Sequence, residues 1–259
     1  MANELLGARQ GVADGVNELV LRRLTEARPI KFLSPEGGDN VLQLMEDSGG
    51  QQFVTRAFTP RLVESIKDRS LMSFPEAWDK MYEIFDEAGI RVLPSHLLET
   101  PGDYPFTVVS PYVGDGVDIS EASTDVKVNL AENISNFLNY GQPYVPSLEM
   151  LSYGMFLVTN DENGSPTPFL VDLDPRIIIR LPLDSFDAVY LRKFGELFWD
   201  HWCKEHERTK VMSALVKSIS MSNTRLSEDF DPNTEAAQVF MDLQLMSNGV
   251  DPSHLTSFR

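Results

Sequence analysis

Asp172 and Asp174 lie one residue apart, directly after the apolar residues FLV, and a proline follows them. Carboxylate oxygens are the ligands that Mg²⁺ and other hard divalent cations prefer, so the two side chains are a candidate metal site. An ordinary strand end explains the same residues, because aspartate before proline is typical of turns. In that case Arg176 or Arg180 would neutralise the two carboxylates. Both interpretations remain open from this segment alone.

The chain carries a strong negative charge. Of its 259 residues, 39 are acidic and 22 are basic, which gives a formal net charge of −17. Proteins that bind nucleic acids over a broad surface need clustered lysine and arginine to displace the counterions of the phosphates. The composition therefore argues against a nucleic-acid partner and against binding to anionic membranes. It allows a local basic pocket, because net charge governs solubility and steering rather than individual sites.

The single cysteine excludes an intrachain disulfide and any cysteine-rich zinc site. His201, Cys203 and His206 are close in sequence and could be taken for metal ligands. They fall within a predicted helical stretch beside Trp199 and Trp202, however, so we expect ordinary packing and surface roles for them.

The sequence predicts a protein without an integral membrane segment. It contains no apolar run of about 18 residues, the length of a membrane-spanning helix. Its first residues, MANELLGARQ, lack the apolar core of a signal peptide. We therefore expect a soluble, cytoplasmic protein.

The first half of the chain is predicted to form an antiparallel sheet with one helix. Three short apolar segments within residues 30–58, with glycine-rich turns between them, predict three consecutive strands. A helix over residues 75–88 follows, with Ser73 as its cap and aromatic residues at helical spacing. Two further strands around the turn TPGDY complete the region 30–113, and residues 1–29 form an N-terminal helix extension.

The second half is predicted to be mostly helical. A helix runs through VKVNLAENISNFLNYG, and two apolar strands joined by Asn163 and Gly164 then form a hairpin. Further helices follow over residues 184–205 and through NTEAAQVFMDLQLM. The region 114–250 is therefore a helical lobe with a β-hairpin, and residues 251–259 are a loose tail.

This order of elements resembles the protein-kinase-like fold. It looks most like the branch that includes aminoglycoside and choline phosphotransferases and lipopolysaccharide-core kinases. The resemblance extends over about residues 30 to 205. It implies an α+β, bilobal fold with an antiparallel-sheet N-lobe and a mostly helical C-lobe.

The resemblance also implies an ATP site that is built partly from backbone groups. In the family, a glycine-containing hairpin covers the nucleotide phosphates, and SPEGGDN places Gly37 and Gly38 at that position. The full G-x-G-x-x-G pattern is absent, and a bare hairpin turn explains the two glycines as well. TVVSPYV matches the strand that leads to the second lobe, so backbone groups from Ser110 to Tyr112 would meet an adenine edge.

The third strand of the family carries a lysine that contacts phosphates and pairs with a glutamate of the next helix. FVTRAF puts Arg56 at that position, although an arginine fork is seldom interchangeable with a lysine ammonium. Glu83 is the preferred partner on the helix, with Glu76 and Glu87 as alternatives. In the other interpretation, Arg56 is a surface residue on a half-exposed strand.

The sequence departs from the family most clearly at the catalytic loop. Active members carry H-G-D-x-x-x-x-N there, whereas this chain has LEMLSYGMFLV. In that alignment Met150 replaces the Asp that acts on the substrate hydroxyl, and Met155 replaces the Asn that holds a metal ion. A thioether neither takes a proton nor binds a hard cation. Glu149 is a candidate base in its place, and Asp172 would bind Mg²⁺ with Asp174 as its helper.

Three hypotheses on function follow. The first is a pseudokinase or very weak phosphotransferase that binds a protein partner, with ATP and Mg²⁺ as its implied cofactors. The second is an active, divergent ATP-dependent phosphotransferase acting on a small molecule or a protein, with Glu149 as base. The third is an unrelated α+β structural or interaction protein that shares only the order of elements. The missing Asp and Asn favour the first.

Overall fold

The computed structural model divides the chain into two compact units. One unit contains Met1–Asp79 and Leu93–Gly114, and the other contains Lys80–Val92 and Asp115–Arg259. The residues that the structure describes are 20, 23–34, 39–114, 116–140, 144–152, 154–161, 163–180, 188–216 and 235–255. The predicted N-terminal extension, residues 1–29, lies mostly outside them, although residues 20 and 23–26 are helical.

The first unit is built on a five-stranded sheet. The strands are β1 (Arg28–Phe32), β2 (Asn40–Glu46), β3 (Gln52–Phe58), β4 (His96–Glu99) and β5 (Phe106–Pro111). They lie in the order β1-β2-β3-β5-β4, and every neighbouring pair is antiparallel. The three strands predicted before the helix and the two predicted after it are confirmed. Because β3 lies in the centre of the sheet, its side chains are the most enclosed.

Helix α1 (Pro60–Ser70) is absent from the sequence prediction. Its segment, PRLVESIKDRS, is mostly polar, but its apolar residues fall at helical spacing, and Thr59 and Pro60 are typical of a helix start, so the signals for this helix were present and were missed. Leu62 and Ile66, one turn apart, are each 1% exposed. Thr59 caps the helix by accepting a hydrogen bond from the N–H of Leu62 at 3.4 Å.

Helix α2 (Phe74–Ala88) matches the predicted helix over residues 75–88. The N–H and hydroxyl of Ser73 donate to Glu76 Oε2 at 2.8 and 2.7 Å, and this reciprocal cap fixes the start of the helix. The helix ends before Gly89, whose φ of 76° lies in the left-handed region that glycine adopts without steric cost. The division between the two units passes through α2, after Asp79.

Aromatic side chains join α2 to the sheet in the first unit. The ring of Phe74 stacks on Phe106 with centroids 4.8 Å apart and lies 4.9 Å from Phe58. Phe58 and Phe106 are paired directly across β3 and β5. The start of α2 therefore packs against the sheet face that carries the even-numbered residues of β3, since side chains alternate along a strand.

The second unit is mostly helical. Its described helices are α3 (Thr124–Tyr140), α4 (Ala188–Leu197), α5 (residues 208–216) and α6 (Glu235–Ser247). A π-helical turn over Phe198–Trp202 continues α4. Helices α3 and α6 match the predicted helices, and α4 with its continuation lies within the predicted helix over residues 184–205.

Short strands complete the second unit. The predicted hairpin consists of β8 (Phe156–Asn160) and β9 (Pro166–Leu170), and β6 (Val117–Asp118) pairs with β8. A second small ladder joins β7 (Tyr144–Pro146) to β10 (Ile178–Arg180). The end of α2 also packs in this unit, because the rings of Phe85 and Phe137 meet edge to face at 5.3 Å.

The predicted fold class is confirmed. The protein is α+β, with an antiparallel sheet in one unit and mainly helices in the other. The predicted tail, residues 251–259, begins with a 3₁₀ turn at Pro252–His254, and Leu255 is buried. Residues 256–259 lie outside the described part of the chain.

None of the described helices has both the length and the apolar character that crossing a membrane requires.

Candidate functional site

Asp172 and Asp174 follow β9 in the second unit. The chain leaves β9 at Leu170 and enters a 3₁₀ turn at Pro175–Ile177. Asp172 is half-buried, whereas Asp174 is only 5% exposed. Asp174 is the N-cap of the turn, because it has extended backbone angles and its carboxylate accepts the N–H of Arg176. Its position is therefore fixed by local structure.

One arginine occupies both oxygens of the Asp174 carboxylate. Oδ1 accepts the backbone N–H of Arg176 at 2.9 Å, and Oδ2 accepts its Nε and Nη2 at 2.9 and 2.7 Å. Hydrogen bonds between ionised partners are shorter and stronger than neutral ones. For Asp174, this geometry supports neutralisation by Arg176. The side chain of Arg180, the other arginine predicted to neutralise the carboxylates, lies outside the described residues.

Asp174 fits a bound Mg²⁺ poorly, because Arg176 already donates to both of its carboxylate oxygens. Mg²⁺ is usually bound through one or two carboxylates together with water and phosphate oxygens. Asp174 is engaged by Arg176, which leaves Asp172 as the remaining carboxylate of the predicted pair. In the described part of the chain, no group of three or more His, Cys, Asp or Glu side chains could hold a metal ion. The metal role of Asp172 and Asp174 stays a prediction, and the contacts of Asp174 count against it.

Both methionines of the segment aligned with the family's catalytic loop are buried. The segment forms a 3₁₀ turn at Leu148–Leu151 and then leads into β8. Met150 is 0% exposed and Met155 is 7% exposed, so both thioethers pack in the interior of the second unit. The side chain of Glu149 lies outside the described residues, and its role as a base stays a prediction.

Two hydrogen bonds between distant residues fix the backbone of this loop. The indole Nε1 of Trp202 donates to the carbonyl oxygen of Leu151 at 3.1 Å. The N–H of Gly154 donates to Oδ2 of Asp118 at 2.7 Å. A loop held from two sides in this way has little freedom to bring a different residue to the position of the missing Asp.

Asp118 holds two turns at once. Its Oδ1 accepts the N–H of Ser120 at 2.9 Å, which caps the 3₁₀ turn Ile119–Glu121, while its Oδ2 accepts from Gly154. Burial works to raise the pKa of the Asp118 carboxyl, but these hydrogen bonds and the charge of Lys127 outweigh it and hold the pKa below its usual value. Asp118 is therefore ionised at neutral pH and is a strong acceptor.

Sequence reasoning missed both contacts that hold the loop. The spacing of Asp118 and Glu121 is a capping signal that could have marked the turn. No local pattern indicates the bond to Gly154, because its partners are 36 residues apart. Trp202 lies in a predicted helical stretch and is 1% exposed, but a helical pattern does not reveal its hydrogen bond to Leu151.

In the first unit, Arg56 is buried rather than exposed. It lies on the central strand β3 and is 8% exposed, so the interpretation as a surface residue is wrong. Its directly paired neighbours are Leu42 on β2 and Val108 on β5. Arg56 shares a sheet face with Phe58, since both occupy even positions of the strand. Its contact with nucleotide phosphates stays a prediction.

Glu83 has a partner on its own helix. Lys80 Nζ lies 2.9 Å from Glu83 Oε1, one turn away on α2. The Glu83 side chain is 53% exposed, and exposed pairs of this kind contribute little to stability. Glu76, one of the alternative partners for Arg56, is used in the cap of α2. The pairing of Glu83 with Arg56 stays a prediction.

The remaining predicted nucleotide contacts lie at the end of β5 and in the first hairpin. Ser110 is 9% exposed within the sheet, and Tyr112 is 43% exposed just beyond it. The N–H of Tyr112 donates to the carbonyl of Gln52 at 3.5 Å, which extends the β3–β5 ladder by one residue. Gly37 and Gly38 lie outside the described residues. The role of all four at a nucleotide stays a prediction.

A small cavity of about 50 Å³ is present in the first unit, between the N-terminal helical residues and the sheet. Phe53 and Val109 line it, and strand alternation places them on the face opposite Arg56. His96 also lines it, and burial lowers the pKa of this imidazole. Typical ligand pockets measure about 300–1,000 Å³, so this cavity is too small for a nucleotide.

No protein-family model and no curated protein sequence matches the chain. Solved protein kinases and pseudokinases are similar to it. The maize sucrose-induced receptor kinase 1 kinase domain bound to AMP-PNP is 12% identical, with 93% of this chain and 98% of that chain covered and a TM-score of 0.45.

Two further solved structures have a TM-score of 0.40. The pseudokinase drought responsive inactive kinase 1 is 12% identical over 92% of this chain and 90% of its own. A complex of Rio2 kinase with ADP, Mg²⁺ and phosphoaspartate from Chaetomium thermophilum is 10% identical, with coverages of 86% and 82%. At TM-scores below 0.5, we draw no conclusion on activity or ligands from these likenesses.

Proposed function

We propose that this protein is a kinase-like binding protein, a pseudokinase, that transfers phosphate very weakly or not at all. The observation that carries the proposal is the burial of Met150 and Met155 in a loop held by Asp118 and Trp202. Phosphate transfer in this family needs a side chain that acts on a hydroxyl proton and another that holds a metal ion. A thioether does neither.

The proposal includes a protein partner. Exposed apolar side chains on the edge strand β1 support it, because Ile30 is 45% exposed and Phe32 is 62% exposed. In the described sheet, β1 is an edge strand that pairs with β2, and no described strand lies on its other side. Exposed apolar side chains on an edge strand are typical of surfaces that receive another chain.

We include ATP binding in the proposal, as a property of the first unit. The buried position of Arg56 supports it, since a guanidinium holds phosphate oxygens through paired N–H donors. The narrower likeness to aminoglycoside and choline phosphotransferases is also part of the proposal. So is a cytoplasmic location, which a chain with a single cysteine and no disulfide supports.

Phosphate transfer is the test of this proposal. After incubation with ATP and Mg²⁺ or Mn²⁺, the full-length protein should show no added phosphate by intact mass and no ATP hydrolysis above buffer. Turnover that Asp172→Asn and Glu149→Gln both abolish would contradict the proposal and support the active, divergent phosphotransferase. For the nucleotide, ATP should raise the melting temperature, and Arg56→Met should remove that rise.

A further inference from the structure

We infer that Arg176 supplies the positive charge that a divalent cation supplies in an active kinase-like protein, so that the Asp174 carboxylate after β9 binds no metal ion. This inference deepens the proposed function and depends on it in one respect, because it takes the segment after β9 to be the metal-binding position of kinase-like proteins. The chemistry itself rests on the contacts of Asp174 and Arg176.

The first step is the occupancy of the carboxylate. Asp174 accepts three hydrogen bonds from Arg176, two from the guanidinium and one from the backbone N–H, all between 2.7 and 2.9 Å. A guanidinium is charged at every physiological pH, and its planar fork matches a carboxylate. A cation at Asp174 would have to displace these donors, because it needs the same oxygen atoms.

The second step is the support of Arg176 by the turn that carries it. Pro175 and Ile177 are buried on either side of it. The N–H of Ile177 donates to the carbonyl of Asp174 at 2.9 Å. The backbone is therefore held on both sides of the arginine, and its guanidinium returns to a carboxylate only two residues away. Because the guanidinium of Arg176 is held this close, its effective concentration at the Asp174 carboxylate is high, and a free metal ion has to compete with it.

The third step is burial, which separates this pair from ordinary surface pairs. The side chains of Asp174 and Arg176 are 8% and 23% exposed. In the pair Arg91–Asp161 of the same unit, the arginine is 57% exposed and its Nη1 lies 3.6 Å from Asp161 Oδ2. A partly desolvated pair in which two guanidinium N–H groups donate to one carboxylate oxygen resists exchange with a hydrated ion more strongly than an exposed, single contact does.

Binding of Mn²⁺ alone tests the inference, with the loss of the free-ion electron paramagnetic resonance signal as the measurement. The full-length wild-type protein should bind Mn²⁺ only as weakly as its acidic surface does, and Asp174→Asn should leave that binding unchanged. Arg176→Gln should gain one site per chain, of about tenfold higher affinity than the wild-type background. Asp174→Asn in the Arg176→Gln background should remove that site.

Arg91→Gln is the matched control. It removes one positive charge from beside another carboxylate of the same unit, so the net charge changes equally while Asp174 keeps its arginine. It should gain no site. Far-UV circular dichroism shows that each variant is folded. If Arg176→Gln does not fold, Arg176→Lys replaces it, and a smaller gain is expected because one ammonium cannot reproduce the fork.

A saturable Mn²⁺ site in the wild-type protein that Asp174→Asn removes would overturn the inference. So would a folded Arg176→Gln or Arg176→Lys protein without any gain. These outcomes are separate from the test of the proposed function. Phosphate turnover contradicts that proposal, whereas Mn²⁺ binding without turnover contradicts only the inference on Arg176.

Discussion

Two ion pairs of the second unit, Lys127–Glu207 and Asp174–Arg176, use charge in different ways. The first joins residues 80 apart in the sequence, and the second joins residues two apart. The side chains of Lys127 and Glu207 are 0% and 5% exposed, whereas the side chain of Arg176 is 23% exposed. The distant pair therefore belongs to the packing of the fold, and the local pair determines the chemistry of one candidate site.

The distant pair is part of a hydrogen-bonded network. Lys127 Nζ donates to Glu207 Oε2 at 2.6 Å and to the carbonyl of Ser120 at 2.8 Å. Glu207 also accepts from the hydroxyl of Thr124 at 2.7 Å and from the N–H of Lys204 at 3.1 Å. Buried charges are tolerated when such partners replace water. The network thereby joins the start of α3 to the residue before α5.

The difference between the pairs follows from sequence distance. Residues two apart meet in the unfolded chain as well, so part of the Asp174–Arg176 interaction is present before folding. Residues 80 apart meet only in the folded protein. We therefore expect the distant pair to dominate stability and the local pair to affect mainly the properties of its site.

Lys127→Met should have the largest effect, a loss of about 3–5 kcal/mol in the free energy of unfolding, because it leaves the Glu207 carboxylate buried without its cation. Urea unfolding of the full-length protein measures it. The double variant Lys127→Met/Glu207→Leu removes both charges and should recover part of the loss. A loss no larger than that of Arg176→Gln would break the comparison.

Asp118→Ala should come next, with a loss of about 1–2 kcal/mol, since it removes an ionised acceptor from two backbone N–H groups. Its partner Gly154 is 36 residues away, which places this contact between the two ion pairs in sequence distance. Amide hydrogen exchange at Gly154 should become faster in the variant. Unchanged exchange there would show that Asp118 does not hold the loop.

Arg176→Gln should cost about 1 kcal/mol, because the Asp174 carboxylate keeps the backbone N–H of Arg176 and gains access to water. The same urea unfolding experiment measures it beside Lys127→Met. The matched exposed change, Arg91→Gln, should be smaller still. A loss as large as that of Lys127→Met would show that the local pair also supports the fold.

The elements that the sequence predicts well are those with local signals. Ser73 as a cap and aromatic residues at helical spacing predict α2, and Asn163 with Gly164 predicts the β8–β9 hairpin, where Gly164 has a φ of 75°. Helix α1 was missed although it has local signals of the same kind, a cap at Thr59 and a proline in its first turn. Met150 and Met155 have no local signal, because only the resemblance to kinase-like proteins assigns them to the positions of the Asp and the Asn, for which a thioether is unfit.

The features that the sequence does not predict depend on contacts between distant segments. Arg56 is buried on the central strand β3, which β2 and β5 flank, and these strands come from separate segments of the chain. The bond from Gly154 to Asp118 and the pair Lys127–Glu207 likewise join separate segments. The bond between Asp174 and Arg176 is local, and for that reason the sequence could indicate Arg176 as a cation that neutralises the carboxylates.

The smallest expected effect is a change in how the free energy of unfolding depends on pH, and it concerns Glu207 of the distant pair. Burial works to raise the pKa of this carboxyl, but hydrogen bonds from Lys127, Thr124 and the Lys204 N–H outweigh it and hold the pKa below its ordinary value of 4.5. A carboxyl with a lowered folded-state pKa binds its proton less tightly in the folded protein than in the unfolded one. The stability it contributes is therefore complete above pH 4.5 and is lost as the pH falls through the folded-state value.

Glu207→Gln should consequently flatten the dependence of the unfolding free energy on pH below 4.5 and leave its slope near neutral pH unchanged. In Lys127→Met, the side-chain hydrogen bond and the charge of Lys127 are gone, so the pKa of Glu207 should be higher than in the wild-type protein. The stability that Glu207 contributes above pH 4.5 should then be smaller, and its loss as the pH falls should be shallower. Urea unfolding over a series of pH values measures all three proteins. Parallel curves for the wild-type protein and Lys127→Met would show that Lys127 does not control the ionisation of Glu207, and that the distant pair is no more coupled than a surface contact.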